Sequence, residues 1–193
     1  PMLQDKVDES FQSLRARLIK EIGWDFLDTL ENAFVPLTVP LAPSLGDDWL
    51  YTGRAIAINT IPMSAGWMAV VREDHGTDVY WRVYIRARYQ DGSQGAPLKQ
   101  PPWDFNARYS GKPQIYEEGG ALSSEIPAGY WVDFTDLAAS FGWERLQALL
   151  NWRTFFDAAR LNEFVLSGGL DWRSAMLEIY PPEIFITPTA IIP

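Results

Sequence analysis

The chain contains no cysteine and one histidine, His75, in 193 residues. Without cysteine there is no disulfide, no thiolate nucleophile and no Cys-type metal site, and thiols say nothing of the redox compartment. One imidazole leaves carboxylates as the main supply of metal ligands, and these suit calcium or magnesium better than catalytic zinc. Basic residues are also few. Sixteen Lys and Arg stand against 25 Asp and Glu, for a net charge of −9 and a pI of about 4.6. Nucleic acid, held by clustered cations, is therefore not an expected partner, and neither is an anionic membrane surface. No apolar run reaches the roughly 18 residues of a membrane-spanning helix. Glycine-rich phosphate loops are missing too, since "EEGGAL" and "LSGGLDW" lack the Walker spacing and its lysine. No G-x-S-x-G elbow is present to display a serine nucleophile. No cofactor is expected.

Apolar residues make up 47% of the chain, enough for a core, and the length suits one domain, expected over residues 1–186. The closing "TPTAIIP", residues 187–193, reads as the start of a Thr/Pro linker to a flanking domain. The chain opens at Pro1 without a signal peptide. It is read as an excerpt of a longer protein whose targeting signal lies upstream. Nine tryptophans accompany eight tyrosines and ten phenylalanines. At least half of the tryptophans are expected inside, with "PPWDF", "GYW" and "NWRTFF" as core or loop anchors, or as the lining of a sugar groove.

Val7, Phe11, Leu14, Leu18 and Ile22 recur every three or four residues, predicting an amphipathic helix that stops near Gly23. "WDFLDTLENAF" suggests a second short helical turn. Arg54–Asn59 reads as a strand, and "WMAVVRED" and "DVYWRVYIRARY" around "HGT" predict a hairpin. Val79, Trp81, Val83, Ile85 and Ala87 alternate onto its buried face. Two short helices are predicted in "DFTDLAASFG", capped by Asp133 or Thr135, and in "GLDWRSAMLEIYPP", started by Asp171. The fold class is α+β, a mainly antiparallel sheet flanked by helices.

The other hairpin face carries Tyr80, Arg82, Tyr84, Arg86 and Arg88. Guanidinium forks and tyrosine rings could receive a peptide carboxylate or a wall glycan. Pairing across strands with acids such as Glu73 is the commoner fate of such residues. His75 sits in the predicted turn and reads as structural. The acidic doublets Asp47/Asp48, Glu73/Asp74 and Glu117/Glu118 are formal candidates for paired-carboxylate hydrolysis, although neighbours on a strand face opposite ways.

"DWLYTGRAIA", from Asp48 to Ala57, resembles the S-x-H-x-x-G-x-A-x-D signature of zinc D,D-peptidases of the Hedgehog/D-Ala-D-Ala peptidase fold, with Gly53 and Ala55 in place. "VREDHGTDVYWRVYIRARYQDGSQG" and "GYWVDFTDLAASFGWERLQALLNWRTFFDAARLNEF" resemble segments of bacterial D-Ala-D-Ala carboxypeptidase-like envelope proteins and of multidomain TolB-like proteins. The likeness runs from about Asp25 to Glu183. It implies that Leu50 replaces the zinc histidine and Ala57 the zinc aspartate. In "RLNEF", Leu161 or Asn162 takes the place of the second zinc histidine, and Ala158 or Ala159 that of the catalytic glutamate.

The implied protein is a catalytically inactive peptidase relative without metal. It would be a bacterial, extracytoplasmic module that binds peptidoglycan, a peptide or flanking domains of a larger protein. The alternative is a hydrolase with an unrecognised carboxylate-based site. Asp48, Tyr51, Arg54, Tyr80, Arg82, Tyr84 and Arg86 are the candidate ligand-binding residues; Asp48 and Tyr51 flank the vacated metal position.

Overall fold

The computed structural model describes residues 3–41 and 47–185, so the expected 187–193 linker lies outside the described residues. In chain order the elements are α1 (Asp5–Ile22), β1 (Leu30–Asn32), β2 (Ala55–Ile58), α2 (Ile61–Ser64), β3 (Met68–His75), β4 (Asp78–Arg86) and β5 (Trp103–Asp104). There follow α3 (Pro113–Glu117), β6 (Ala121–Leu122), β7 (Trp131–Asp133), α4 (Phe134–Ala139), β8 (Glu144–Arg145), β9 (Glu163–Val165) and α5 (Trp172–Met176). The class is α+β as expected, and every named strand pairing is antiparallel. The strands form not one sheet but three, ordered β1-β2-β9-β8, β3-β4-β7 and β5-β6.

Helix α1 buries the five predicted residues, Val7, Phe11, Leu14, Leu18 and Ile22, and ends where Gly23 turns left-handed (φ 78°). Removing those side chains from water contributes roughly 10 kcal/mol before conformational entropy is subtracted. Hairpin β3–β4 pairs Met68 with Ile85 through to His75 with Asp78, leaving Gly76 and Thr77 as a two-residue turn. Its alternation puts Trp81 in the core, with Phe105 at 4.8 Å and Trp152 at 5.1 Å between ring centres.

Four tryptophans, Trp81, Trp131, Trp143 and Trp152, are buried, one short of the expected half. Asp133 caps α4 by accepting from the Asp136 N–H at 3.0 Å, and Asp171 caps α5 from Ser174 at 2.7 Å. The short helical turn expected in "WDFLDTLENAF" is the 3-10 turn Phe26–Asp28, and the same stretch continues into strand β1, Leu30–Asn32, which was not expected. Pairing of Leu30 with Ile58 and of Asn32 with Ala57 satisfies that backbone better than an isolated turn would. No helix among the described residues is long and apolar enough to cross a membrane.

Candidate functional site

The stretch 48–57 folds around a cap. Asp48 Oδ1 accepts from the Leu50 N–H at 2.9 Å and starts the 3-10 turn Trp49–Thr52. Gly53 ends the turn in the left-handed region (φ 67°), where a side chain would be strained, and redirects the chain into β2. β2 is buried at all four residues and pairs with β9, Ala57 facing Glu163. Just before β9, Arg160 adopts a left-handed conformation (φ 51°), the one non-glycine residue to do so among the described residues. That bend places Leu161 and Asn162 beside β2. The Ile58 N–H donates to Asn162 O at 2.8 Å, and Asn162 Nδ2 donates to Ile58 O and to Glu31 Oε2, each at 3.1 Å.

Leu50, Ala57, Leu161 and Asn162 thereby line one cavity of about 200 Å³, whose wall also includes Glu31, Asp48, Asp157, Arg160 and Glu163. Ala158 and Ala159 are fully buried and offer no base. The acids respond to their surroundings. Burial pushes the Glu163 carboxyl above its ordinary range; the Asp48 and Glu31 charges push the same way, and Arg160 opposes them. Burial also raises Asp48, against the Leu50 N–H bond and the Arg160 charge. Glu31 is raised by burial and then by Asp157. Arg160 Nε donates to Glu163 Oε2 at 3.1 Å.

The residues present do not fit zinc. Leu50, Ala57 and Leu161 have no lone pair to give, and three such ligands are what a catalytic zinc needs. Among the described residues no group of three or more His, Asp or Glu side chains is placed to hold a metal ion. The chemistry left to this cavity is capture of cationic or hydrogen-bonding groups, and proton donation from a carboxyl that stays protonated above its usual pH.

The candidate ligand-binding residues divide. Asp48 lines the cavity. Tyr51 does not line it: its hydroxyl donates to Val39 O at 3.0 Å and accepts from the Leu41 N–H at 2.9 Å. Arg54 is buried and paired, its Nη2 lying 2.7 Å from Glu178 Oε2. Arg82 is engaged by Glu73, Asp133 and Asp136, and Arg145 also reaches Glu73. Tyr80 lies under Arg145, and Tyr84 packs against the Ala69–Leu98–Trp131 cluster. Arg86 sits between Trp67 and Trp131, 5.8 Å from each ring centre. His75 is exposed at the hairpin end, edge-on to Tyr80.

Glu31, Asp157, Arg160 and Glu163 were not singled out from the sequence. Arg160 and Glu163 lie within the very "RLNEF" segment that was, on either side of Leu161 and Asn162; Glu31 has no local signal and arrives through strand pairing. Comparison with protein-family models, curated proteins and solved structures finds no match.

Proposed function

We propose that this chain is a non-catalytic relative of zinc D,D-peptidases that serves as a binding or interaction module of a bacterial cell-envelope protein, outside the cytoplasm. One observation carries the reading: Leu50, Ala57, Leu161 and Asn162, far apart in sequence, converge on a single cavity. Those are the positions that the resemblance assigns to the metal site. With leucine and alanine there, no zinc-bound water can be brought to hydroxide at neutral pH. The remaining cleft is rimmed by four acids and one arginine. It suits an ammonium or amide group of a peptidoglycan-type peptide, or a donor-rich segment of a flanking domain.

A second reading, a carboxylate-based hydrolase, draws on the raised Glu163 and Asp48 in the same cavity. Burial raises both, so either can hold its proton above the ordinary carboxyl range and serve as an acid. Purified muropeptides separate the two readings. The first expects equilibrium binding without turnover, weakened about tenfold or more by Ala57→Leu, which fills the cavity. Metal-independent turnover abolished by Glu163→Gln favours the second. The joint variant Leu50→His, Ala57→Asp, Leu161→His is expected to take up stoichiometric zinc that the parent does not bind. Failure of a folded triple variant to do so removes the inherited-pocket argument.

A further inference from the structure

A second, larger cavity of about 670 Å³ adjoins the first, the two sharing Thr60 and Phe156 in their walls. Its volume falls in the range of small-molecule sites, roughly 300–1,000 Å³. The three aromatic segments "PPWDF", "GYW" and "NWRTFF" meet here, contributing Trp103, Phe105, Trp131 and Phe156. Two arginines join them. Arg86 ends β4 directly opposite Trp131 of β7, and Arg108 lies in the 3-10 turn Phe105–Tyr109 with only 8% of its surface exposed.

Four buried nitrogens of residues that line this cavity have no hydrogen-bond acceptor in the protein: Arg86 Nε, Arg108 Nε, Trp103 Nε1 and Trp131 Nε1. Buried polar atoms without a partner are uncommon in folded proteins. Guanidinium and indole nitrogens donate and do not accept, so this side of the cavity is rich in donors and poor in acceptors. Neither arginine is paired with an acid among the described residues; Arg108 has one longer bond, from Nη2 to Thr154 O at 3.3 Å. Asp104 is the one acid in the wall, and its Oδ1 accepts from the Asn106 N–H at 2.8 Å as the cap of the turn. Two guanidiniums against one carboxylate leave the wall positive within a strongly acidic chain.

We infer that this cavity binds a small organic carboxylate carried on a ring, its oxygens taken by the Arg86 and Arg108 guanidiniums and its ring lying against the aromatic wall. Charge-assisted bonds from guanidinium to carboxylate are short and strong, and arginine recognises the planar anion in a way a neutral amide cannot match. Aromatic faces accept either a sugar or an aromatic ring. The inference does not depend on the peptidase relationship, since none of these donors occupies a position of the zinc signature.

Isothermal titration calorimetry, with tryptophan fluorescence in parallel, tests it by comparing glucuronate with glucose and benzoate with benzamide. At least one acid is expected to bind about tenfold or more tightly than its neutral partner. Arg86→Gln, and separately Trp131→Phe, should lower that affinity by about the same factor, while Arg17→Gln on the exposed side of α1 leaves it unchanged. Preference for glucuronate identifies an acidic sugar as the ligand class, and preference for benzoate an aromatic acid. Arg108→Gln is a third variant; should it fail to fold by circular dichroism, the other two decide. Equal affinity for acid and neutral partner overturns the inference, as does no binding of any of the four at about 10 mM. So does an acid preference that survives both Arg86→Gln and Trp131→Phe.

Discussion

Glu178→Ala should be among the most damaging single changes outside the apolar core, although it alters a residue beyond the end of α5. Arg54 is 5% exposed, and its Nε and Nη2 both reach Glu178 Oε2, at 2.9 and 2.7 Å. Its remaining partner is the Leu166 carbonyl at 3.3 Å. Removing the carboxylate leaves a buried guanidinium without its counter-charge, a defect that costs about 3–5 kcal/mol. Glu178 keeps 21% of its side chain in contact with water and shares itself with Lys6, so the lower end applies, about 3 kcal/mol.

For a domain of this size each kcal/mol moves the melting temperature by about 2–4 °C, so thermal denaturation at pH 7 should show a fall of about 6–12 °C. Lys6 and Arg54 hold the Glu178 carboxyl below its ordinary value of 4.5. Its stabilisation is therefore complete above that value and is lost as pH falls through the depressed one. The gap between wild type and variant should close in strong acid. Arg54→Met with Glu178→Leu, which removes both charges, should return to within about 1–2 kcal/mol of wild type. A Glu178→Ala melting temperature within about 1 °C of wild type at pH 7 would refute the reasoning. It would mean that water reaches Arg54 as readily as the carboxylate does.

Two further outcomes follow from the same geometry. Gly95 has a φ of 66°, and a Cβ there would lie 2.6 Å from Trp131 O, whereas Gly66, at φ 75°, has open space around it. Gly95→Ala should cost about 2 kcal/mol or more and Gly66→Ala about 1–2 kcal/mol by urea denaturation; equal losses would show that the backbone clash relaxes freely. Glu163 is raised by burial, so wild-type stability should decline as pH rises from 4.5 through its folded-state value, and Glu163→Gln should lack that decline. Parallel stability-against-pH curves for the two proteins would place the titration elsewhere.

Much of this molecule was decided locally and could be read from the chain. The α1 stripe, the alternation of β4, and the caps Asp133 and Asp171 depend on residues within one or two turns of each other. Their physics is the 3.6 and 2.0 periods of backbone geometry, which order alone determines. The absence of cysteine and the single histidine were equally explicit in the sequence. Only the tertiary structure decided that Leu30–Asn32 is a strand, because its partner, β2, begins more than twenty residues later. It alone turned Arg54 inward to Glu178 and spent Arg82 on three acids. It also gathered Arg86, Trp103, Arg108 and Trp131 around one cavity. Those outcomes depend on the desolvation of charges and on which distant side chains share a wall, and no period along the chain encodes either one.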